Sequence, residues 1–551
     1  MRKKFKIIAI SAALFVGVFA VGATQYSDVL FQIKKNFTIF SEVYRQVTLR
    51  YVDKVDPEKL MRKGINSMLE TLDPYTVLID ESENQQIDIL TTGKYGGVGI
   101  EAGSRGGKIV VIAPIEGYSA QKKGVKAGDV ITSVNGISVD ELTPEDVQSL
   151  LHGEPGTTVK ITIKRYGLDQ ELTFELKREY IEVKNVAFAG LIGKEHDIGY
   201  IVLTRFSQNT SEEIRNAILR FKSQTKLRGL ILDLRNNPGG LLNEAVKTVD
   251  KFIEPGIKVV ETRGRNSENN SVFKSEEPPL LVNTPLVVLQ NSGSASASEV
   301  VAGSLQDLDR AVIIGEQSFG KGLVQVIRPL SYNTALKITT SKYYIPSGRS
   351  IQSVTYTHDA NSSHYNKPDS VKKAYKTRDG RTVYDSQGIN PDIDIKEREH
   401  SLLQIALLQN SYYFFYANKY TAQHDSLTIN QVDDTLFNDF KQYLNSQHFS
   451  YETRTEQDLD QLKIHLASTK MKNSGNQYIN GLQQMIEQEK EREFKKQSDE
   501  IKKLLYLELV SRYKGRSGQI RASSRFDSYI QSAEQLLHHP GRYHAILSGK
   551  E

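Results

Sequence analysis

The stretch LRGLILDLRNNPGG, residues 227–240, decides the architecture. Its first nine residues are a compact apolar run suited to a strand buried on both faces, and the turn that follows carries Pro238 and paired glycines. Leu242, Ala245, Val246, Val249, Phe252 and Ile253 then form one helical stripe. PLVVLQN (285–291) repeats the strand, ASEVVAGSLQDL (297–308) the helix and RAVIIGE (310–316) the strand again. This alternation predicts a βαβ-type α/β layer over residues 181–397.

The chain on either side has a different character. Over residues 92–180 the short β-branched runs KIVVIAPI, DVITSVNG, TVKITIKR and ELTFELKR are punctuated by glycine, with one short helix expected at Pro144–Leu151. That reads as a small strand-rich domain. Within residues 24–91, FQIKKNFTIFSEVYRQVTLRYV and PEKLMRKGINSMLETL space their apolar residues three and four apart, giving two amphipathic helices joined near Asp53 to Asp56. Residues 398–551 turn helical and polar, and the charged stretch Gln483–Lys514 reads as a solvated helical face or a coiled contact. At the start, MRKKFK precedes an uncharged apolar run from Ile7 to Ala23. Residues 1–23 are therefore expected to be either a secretory signal cleaved after Ala23 or a retained membrane anchor, and the protein to be exported.

A length of 551 residues suggests three or four domains. The 38% of apolar and 25% of charged residues are enough for real cores, so the chain is not disordered as a whole. The balance of 71 basic and 66 acidic side chains leaves only +5, too little to imply a nucleic-acid partner. Zero cysteines exclude disulfides, thiolate metal sites, a cysteine nucleophile and a lipid-modified N-terminal cysteine. Their absence suits an oxidising compartment.

Three segments carry chemistry. SGSASASE, Ser292–Glu299, crowds small residues into a strand-to-helix junction, where a side chain projects free of the sheet beside the unpaired first N–H groups of a helix; taken alone, its serines read as N-caps. SFGKGLVQ, Ser318–Gln325, sets Lys321 between two glycines directly after a strand; alone, that is a solvated lysine. Gly315 to Lys321 also fits the G-x-x-x-x-G-K spacing of a phosphate cradle, but Gly322 follows in place of Ser or Thr and the next segment is strand-like. DLRNNPGG, Asp233–Gly240, frees backbone N–H groups at a strand end, as an oxyanion hole requires, or else is an ordinary turn.

Together the three segments resemble the S41 family of C-terminal processing (tail-specific) peptidases. The likeness runs from Asp73 to Ile395 through DPYT, TGKYGGVGI, GVKAGDVITSVNG, ILDLRNNPGG, NSGSASASEVVAGSLQD, VIIGEQSFGKGLVQ, ITTSKYYIPSGRSIQ and GINPDIDI. It implies a serine nucleophile at Ser296, a lysine base at Lys321 and a supporting glutamine at Gln325. The oxyanion hole then falls to the N–H groups of Ala297 and of the Gly239–Gly240 turn, with Gly240 favoured. Gly96, Gly97, Val98, Gly99 and Ile100 resemble the carboxylate-binding loop of a PDZ domain, whose ligand adds as a strand. The implied architecture is α/β and multidomain: helical N-terminal module, PDZ domain, S41 core and helical C-terminal extension.

A serine hydroxyl needs a base, and lysine serves as one only when neutral. Bringing a lysine from about 10.4 to near 7 costs roughly 4–5 kcal/mol, normally obtained by desolvation, so Lys321 is expected to be largely buried. No motif ties any of the eleven histidines to Ser296, and G-x-S-x-G is absent. The expectation is an exported serine endopeptidase acting on proteins or peptides with accessible C-termini, needing neither metal nor cofactor, in the periplasm or anchored in the inner membrane facing it. A catalytically silent PDZ scaffold or chaperone, and a nucleotide-binding protein using Gly315–Lys321, are the rival readings. The oligomeric state, including a homo-oligomer, stays open.

Overall fold

A computed structural model describes residues 28–80, 92–356, 365–366, 372–385, 387–396, 399–467 and 472–550. The expected signal or anchor, residues 1–23, lies outside them. Among the described residues no helix is long and apolar enough to cross a membrane. The chain divides into two compact units.

The larger unit is built on a six-stranded sheet in the order Val186–Ile192, Ile198–Leu203, Gly229–Asp233, Leu286–Gln290, Val312–Gly315, Ile393–Asp394. The first pair is antiparallel and the others are parallel, as the alternating strand and helix pattern requires. Because side chains alternate along a strand, Leu230 and Leu232 face one layer and Ile231 the other. Helices Thr210–Gln224, Leu242–Asp250 and Ala297–Asp307 cover the first face. Helices Ser528–Leu537 and Pro540–Leu547 cover the second. Residues 528–547, grouped by sequence with the polar extension, thus complete the core of the sheet. Tyr543 fixes them there: its hydroxyl accepts from the Leu286 N–H at 3.0 Å and lies 3.1 Å from the Leu286 carbonyl.

The strand-rich domain is a sheet in the order Ile100–Arg105, Lys108–Pro114, Val130–Val134, Thr158–Lys164, Leu172–Lys177, so Ile100–Arg105 is an edge strand. Helix Pro144–Leu151 forms where expected, closed by a capping box between Thr143 and Asp146, and packs against that edge strand. In the C-terminal lobe, helices Leu402–Gln409, Tyr412–Gln423, Asp434–Ser446 and Ser498–Ser523 bury Leu403, Tyr416, Phe440, Leu505 and Leu509 together. The charged stretch therefore hides one apolar face, which its high content of lysine and glutamate masked in the sequence.

The smaller unit contains a helix over residues 28–50 and the helix Pro57–Glu70, the second capped by Asp56, whose carboxylate accepts from the Glu58 and Lys59 N–H groups. Its strand Val77–Ile79 pairs antiparallel with Ala335–Lys337.

Candidate active site

Ser296 stands immediately before helix Ala297–Asp307, at φ 55° and ψ −113°. A non-glycine residue in this region is strained, by about 1–3 kcal/mol, and persists only where its surroundings fix it. Those surroundings are identifiable. The Ser296 N–H donates to Glu299 Oε2 at 2.8 Å, and the Ala295 N–H donates to the Asn237 carbonyl at 3.0 Å. The flanking serines are committed elsewhere: Ser294 Oγ donates to the Leu234 carbonyl at 2.8 Å and Ser298 Oγ to the Asn237 carbonyl at 2.9 Å. Ser296 is the serine of the three whose hydroxyl is not spent on a backbone carbonyl. Near it lies Tyr343, a buried phenol that desolvation pushes up to about 12 while the Ser296 hydroxyl pulls the other way.

Glu299 is fully buried and organises the junction. Oε1 accepts from Ser318 Oγ at 2.6 Å and the Gly320 N–H at 2.6 Å; Oε2 accepts from the Ser296 N–H and the Lys321 N–H, each at 2.8 Å. Burial pushes its carboxyl above the ordinary range, and the four donors pull the other way. Sequence reasoning passed over this residue, although Ser296-x-x-Glu299 has the spacing of a capping box. Glu299 also disposes of the phosphate-cradle reading: the N–H groups of Gly320 and Lys321, which would have to face a phosphate, face a carboxylate instead.

Lys321 is half-buried. Its segment is held on both sides: its N–H bonds Glu299, and the carbonyl of the next residue, Gly322, accepts from the Tyr343 N–H at 2.8 Å. Gln325 lies on the strand Leu323–Pro329 and belongs to the smaller unit, where its Nε2 donates to Thr339 Oγ1 at 3.1 Å.

The glycine turn needs its glycines. Gly239 has φ 97°, and a Cβ there would sit 2.9 Å from Ser296 Cβ and 2.8 Å from the Ala297 nitrogen. Gly239 is not itself a free donor, because its N–H bonds Asn237 Oδ1 at 2.9 Å. This corrects the expectation that either glycine could serve. The Gly239 carbonyl accepts from the Phe206 N–H at 2.9 Å. A trans peptide points its N–H opposite to its C=O, so the Gly240 N–H faces away from Phe206. Ahead of the turn, Arg235 donates to both Asp233 and Asp527, and Tyr200 donates to Asp233 at 2.8 Å. Burial works against the Arg235 charge, but Asp233 and Asp527 outweigh it and hold the guanidinium above its ordinary value.

In the strand-rich domain, Gly96 and Gly97 pair with Tyr180 and Glu179, while Val98 and Ile100 are buried. The carbonyls of Val98 and Gly99 point inward, accepting from the N–H groups of Ala120 and Ile115 at 3.0 and 2.8 Å. By the same peptide geometry the N–H groups of Gly99 and Ile100 face outward, along the open edge strand.

Models of three families match this chain: peptidase family S41 over residues 197–362, a PDZ domain over 110–165, and the C-terminal helical domain of probable PDZ-proteases over 403–537. It is 41% identical over 328 residues to the carboxy-terminal-processing protease of Bartonella bacilliformis, covering 59% of this chain and 74% of that protein. It is 31% identical over 356 residues to the carboxy-terminal processing protease CtpA of Bacillus subtilis, covering 63% and 75%. The photosystem II D1 C-terminal processing protease, a solved structure, is 28% identical with a TM-score of 0.36, covering 65% of this chain and 92% of that one. The chain belongs to the carboxy-terminal processing proteases of peptidase family S41, serine peptidases that here carry a PDZ domain.

Proposed function

We propose that this serine peptidase is exported, captures substrate C-termini on its PDZ domain and cuts peptide bonds with a Ser296–Lys321 dyad. One observation carries the dyad: the backbones of Ser296 and Lys321 hang on the same oxygen of buried Glu299, each at 2.8 Å, so the two residues are neighbours across a gap of 24 intervening positions in the sequence. Ser296 Oγ attacks the scissile carbonyl while neutral Lys321 takes its proton. The N–H groups of Gly240 and Ala297 stabilise the oxyanion. Lys321 returns the proton to the leaving amine, and water then hydrolyses the acyl-enzyme.

Capture rests on the outward N–H groups of Gly99 and Ile100 beside an edge strand on which a peptide adds. Export rests on the basic start and uncharged run Ile7–Ala23, together with the absence of cysteine. The test is to incubate the purified protein with an unstructured protein ending in an apolar residue and to follow cleavage by mass. Cleavage that disappears in Ser296→Ala supports the reading; cleavage that persists in Ser296→Ala overturns it.

A further inference from the structure

Arg235 is the last residue before the turn Asn236–Gly240. Its guanidinium donates to Asp233 through Nε and Nη2, at 2.9 and 2.6 Å, and to Asp527 through Nη1 at 2.8 Å. It also lies over the Tyr529 ring, 4.8 Å from the centroid. Asp233, the last residue of strand Gly229–Asp233, stands two positions before it, but Asp527 and Tyr529 arrive from 292 and 294 residues further along the chain.

Asp527 divides its two oxygens between two tasks. Oδ1 caps helix Ser528–Leu537 by accepting from the Tyr529 and Ile530 N–H groups at 2.9 and 3.2 Å; Oδ2 takes Arg235. The turn that Arg235 opens then grips the nucleophile segment. The Asn236 N–H donates to Asn291 Oδ1 at 2.9 Å, the Asn237 carbonyl accepts from both the Ala295 N–H and Ser298 Oγ, and Gly239 packs on Ser296. Each link is short and buried or half-buried, so a shift of the guanidinium is passed to the peptide that presents the Gly240 N–H.

We infer that Asp527 is a positioning residue for the reaction, latching Arg235 and with it the oxyanion-side turn from the C-terminal end of the chain. This rests on the peptidase reading proposed above. Turnover then depends on how helix Ser528–Leu537, which Asp527 caps, is seated on the sheet.

The two tasks of Asp527 can be separated. Asn and Ser cap helices about as well as Asp, so Asp527→Asn and Asp527→Ser keep the cap and lose the charge on Arg235. If Asp527 only caps, both variants turn over a short peptide at the wild-type kcat. If it latches the turn, kcat falls roughly 10- to 100-fold in both while KM stays within about two-fold, because the loss is of transition-state alignment and not of binding. Adding Asp527→Asn to Arg235→Met should then cost nothing beyond Arg235→Met alone. Wild-type kcat in Asp527→Asn, or losses that add in the double variant, would overturn the latch while leaving the peptidase reading intact. A wild-type protein that neither cleaves the peptide nor lets a fluorophosphonate label Ser296 would overturn both.

Discussion

Ser296 and Lys321 share one acceptor: each donates its backbone N–H to Glu299 Oε2 at 2.8 Å. A carboxylate offers only acceptors to the four donors around it, whereas an amide would turn an NH2 toward two of them. Glu299→Gln therefore leaves two buried donors without partners, at ~1–3 kcal/mol each. The melting temperature should fall, and peptide turnover should drop by roughly 100-fold as the two segments separate. A variant with an unchanged melt and rate would mean that Glu299 is not what holds the dyad together.

The flanking serines should behave unlike Ser296. Ser294 Oγ accepts from the Asn291 N–H at 3.0 Å and donates to the Leu234 carbonyl, so Ser294→Ala strands the Asn291 N–H and leaves the Leu234 carbonyl with the Asn237 N–H alone. Ser298→Ala removes one of the two hydrogen bonds to the Asn237 carbonyl, which keeps the Ala295 N–H. Ser294→Ala should destabilise by about 1–3 kcal/mol and Ser298→Ala by about 0.5–1.5 kcal/mol in a denaturant titration, and both should still turn over substrate. Complete loss of activity in either, with the fold retained, would move the nucleophile away from Ser296.

Lys321 should not tolerate arginine. An arginine cannot lose its proton near neutrality, so Lys321→Arg should be nearly as inactive as Lys321→Ala although it keeps the charge. The wild-type rate should rise with pH as the lysine is deprotonated, then level. Tyr343, pushed up to about 12 by burial, keeps its proton over that range and contributes nothing to the rise. Preserved proteolysis in Lys321→Arg would remove the lysine from the mechanism.

Much of this was legible in the sequence because it is local. The strands and helices of the sheet follow from apolar periodicity, and the helix Pro144–Leu151 from a Thr-Pro start with an acid in its first turn. What stayed hidden was long-range. Nothing near Arg235 announces Asp527, and the helices of residues 528–547 look like the rest of a polar tail until Ile530, Ala533 and Leu537 meet Ile231 and Val287 on the sheet. The sequence shows two glycines at 239 and 240 but not the Asn237 side chain folding back on the first of them.

The second-face helices should prove indispensable to the core. Ending the chain at Phe526 would expose Ile231, Val287, Leu289, Val312 and Ile314, all buried in the same layer. At ~1.5–3 kcal/mol for each fully buried aliphatic side chain, the loss is comparable to the whole stability of about 5–15 kcal/mol typical of a domain. Such a truncation should be insoluble or lose its cooperative thermal transition by circular dichroism. A soluble, cooperative fragment would show that the sheet does not need its second layer.

Substrate choice should depend on a free C-terminus. The Gly99 and Ile100 N–H groups face outward at the head of an edge strand, because the carbonyls bonded to them are taken by Ile115 and Ala120. A carboxylate arriving there gains charge-assisted hydrogen bonds worth roughly 1.5–3 kcal/mol. Amidating the terminus of a peptide should therefore lower kcat/KM about 10- to 100-fold, at 1.4 kcal/mol per tenfold. The same bonds should still be cut, since cleavage happens elsewhere. Gly99 has φ 78°, and a Cβ on it would sit 2.5 Å from Tyr118 Cβ, so Gly99→Ala must distort the loop. In that variant the acid and the amide should be cut at similar, low rates. Equal rates for both peptides in the wild type would mean that this domain does not read C-termini and that its open edge strand recognises internal sequence instead.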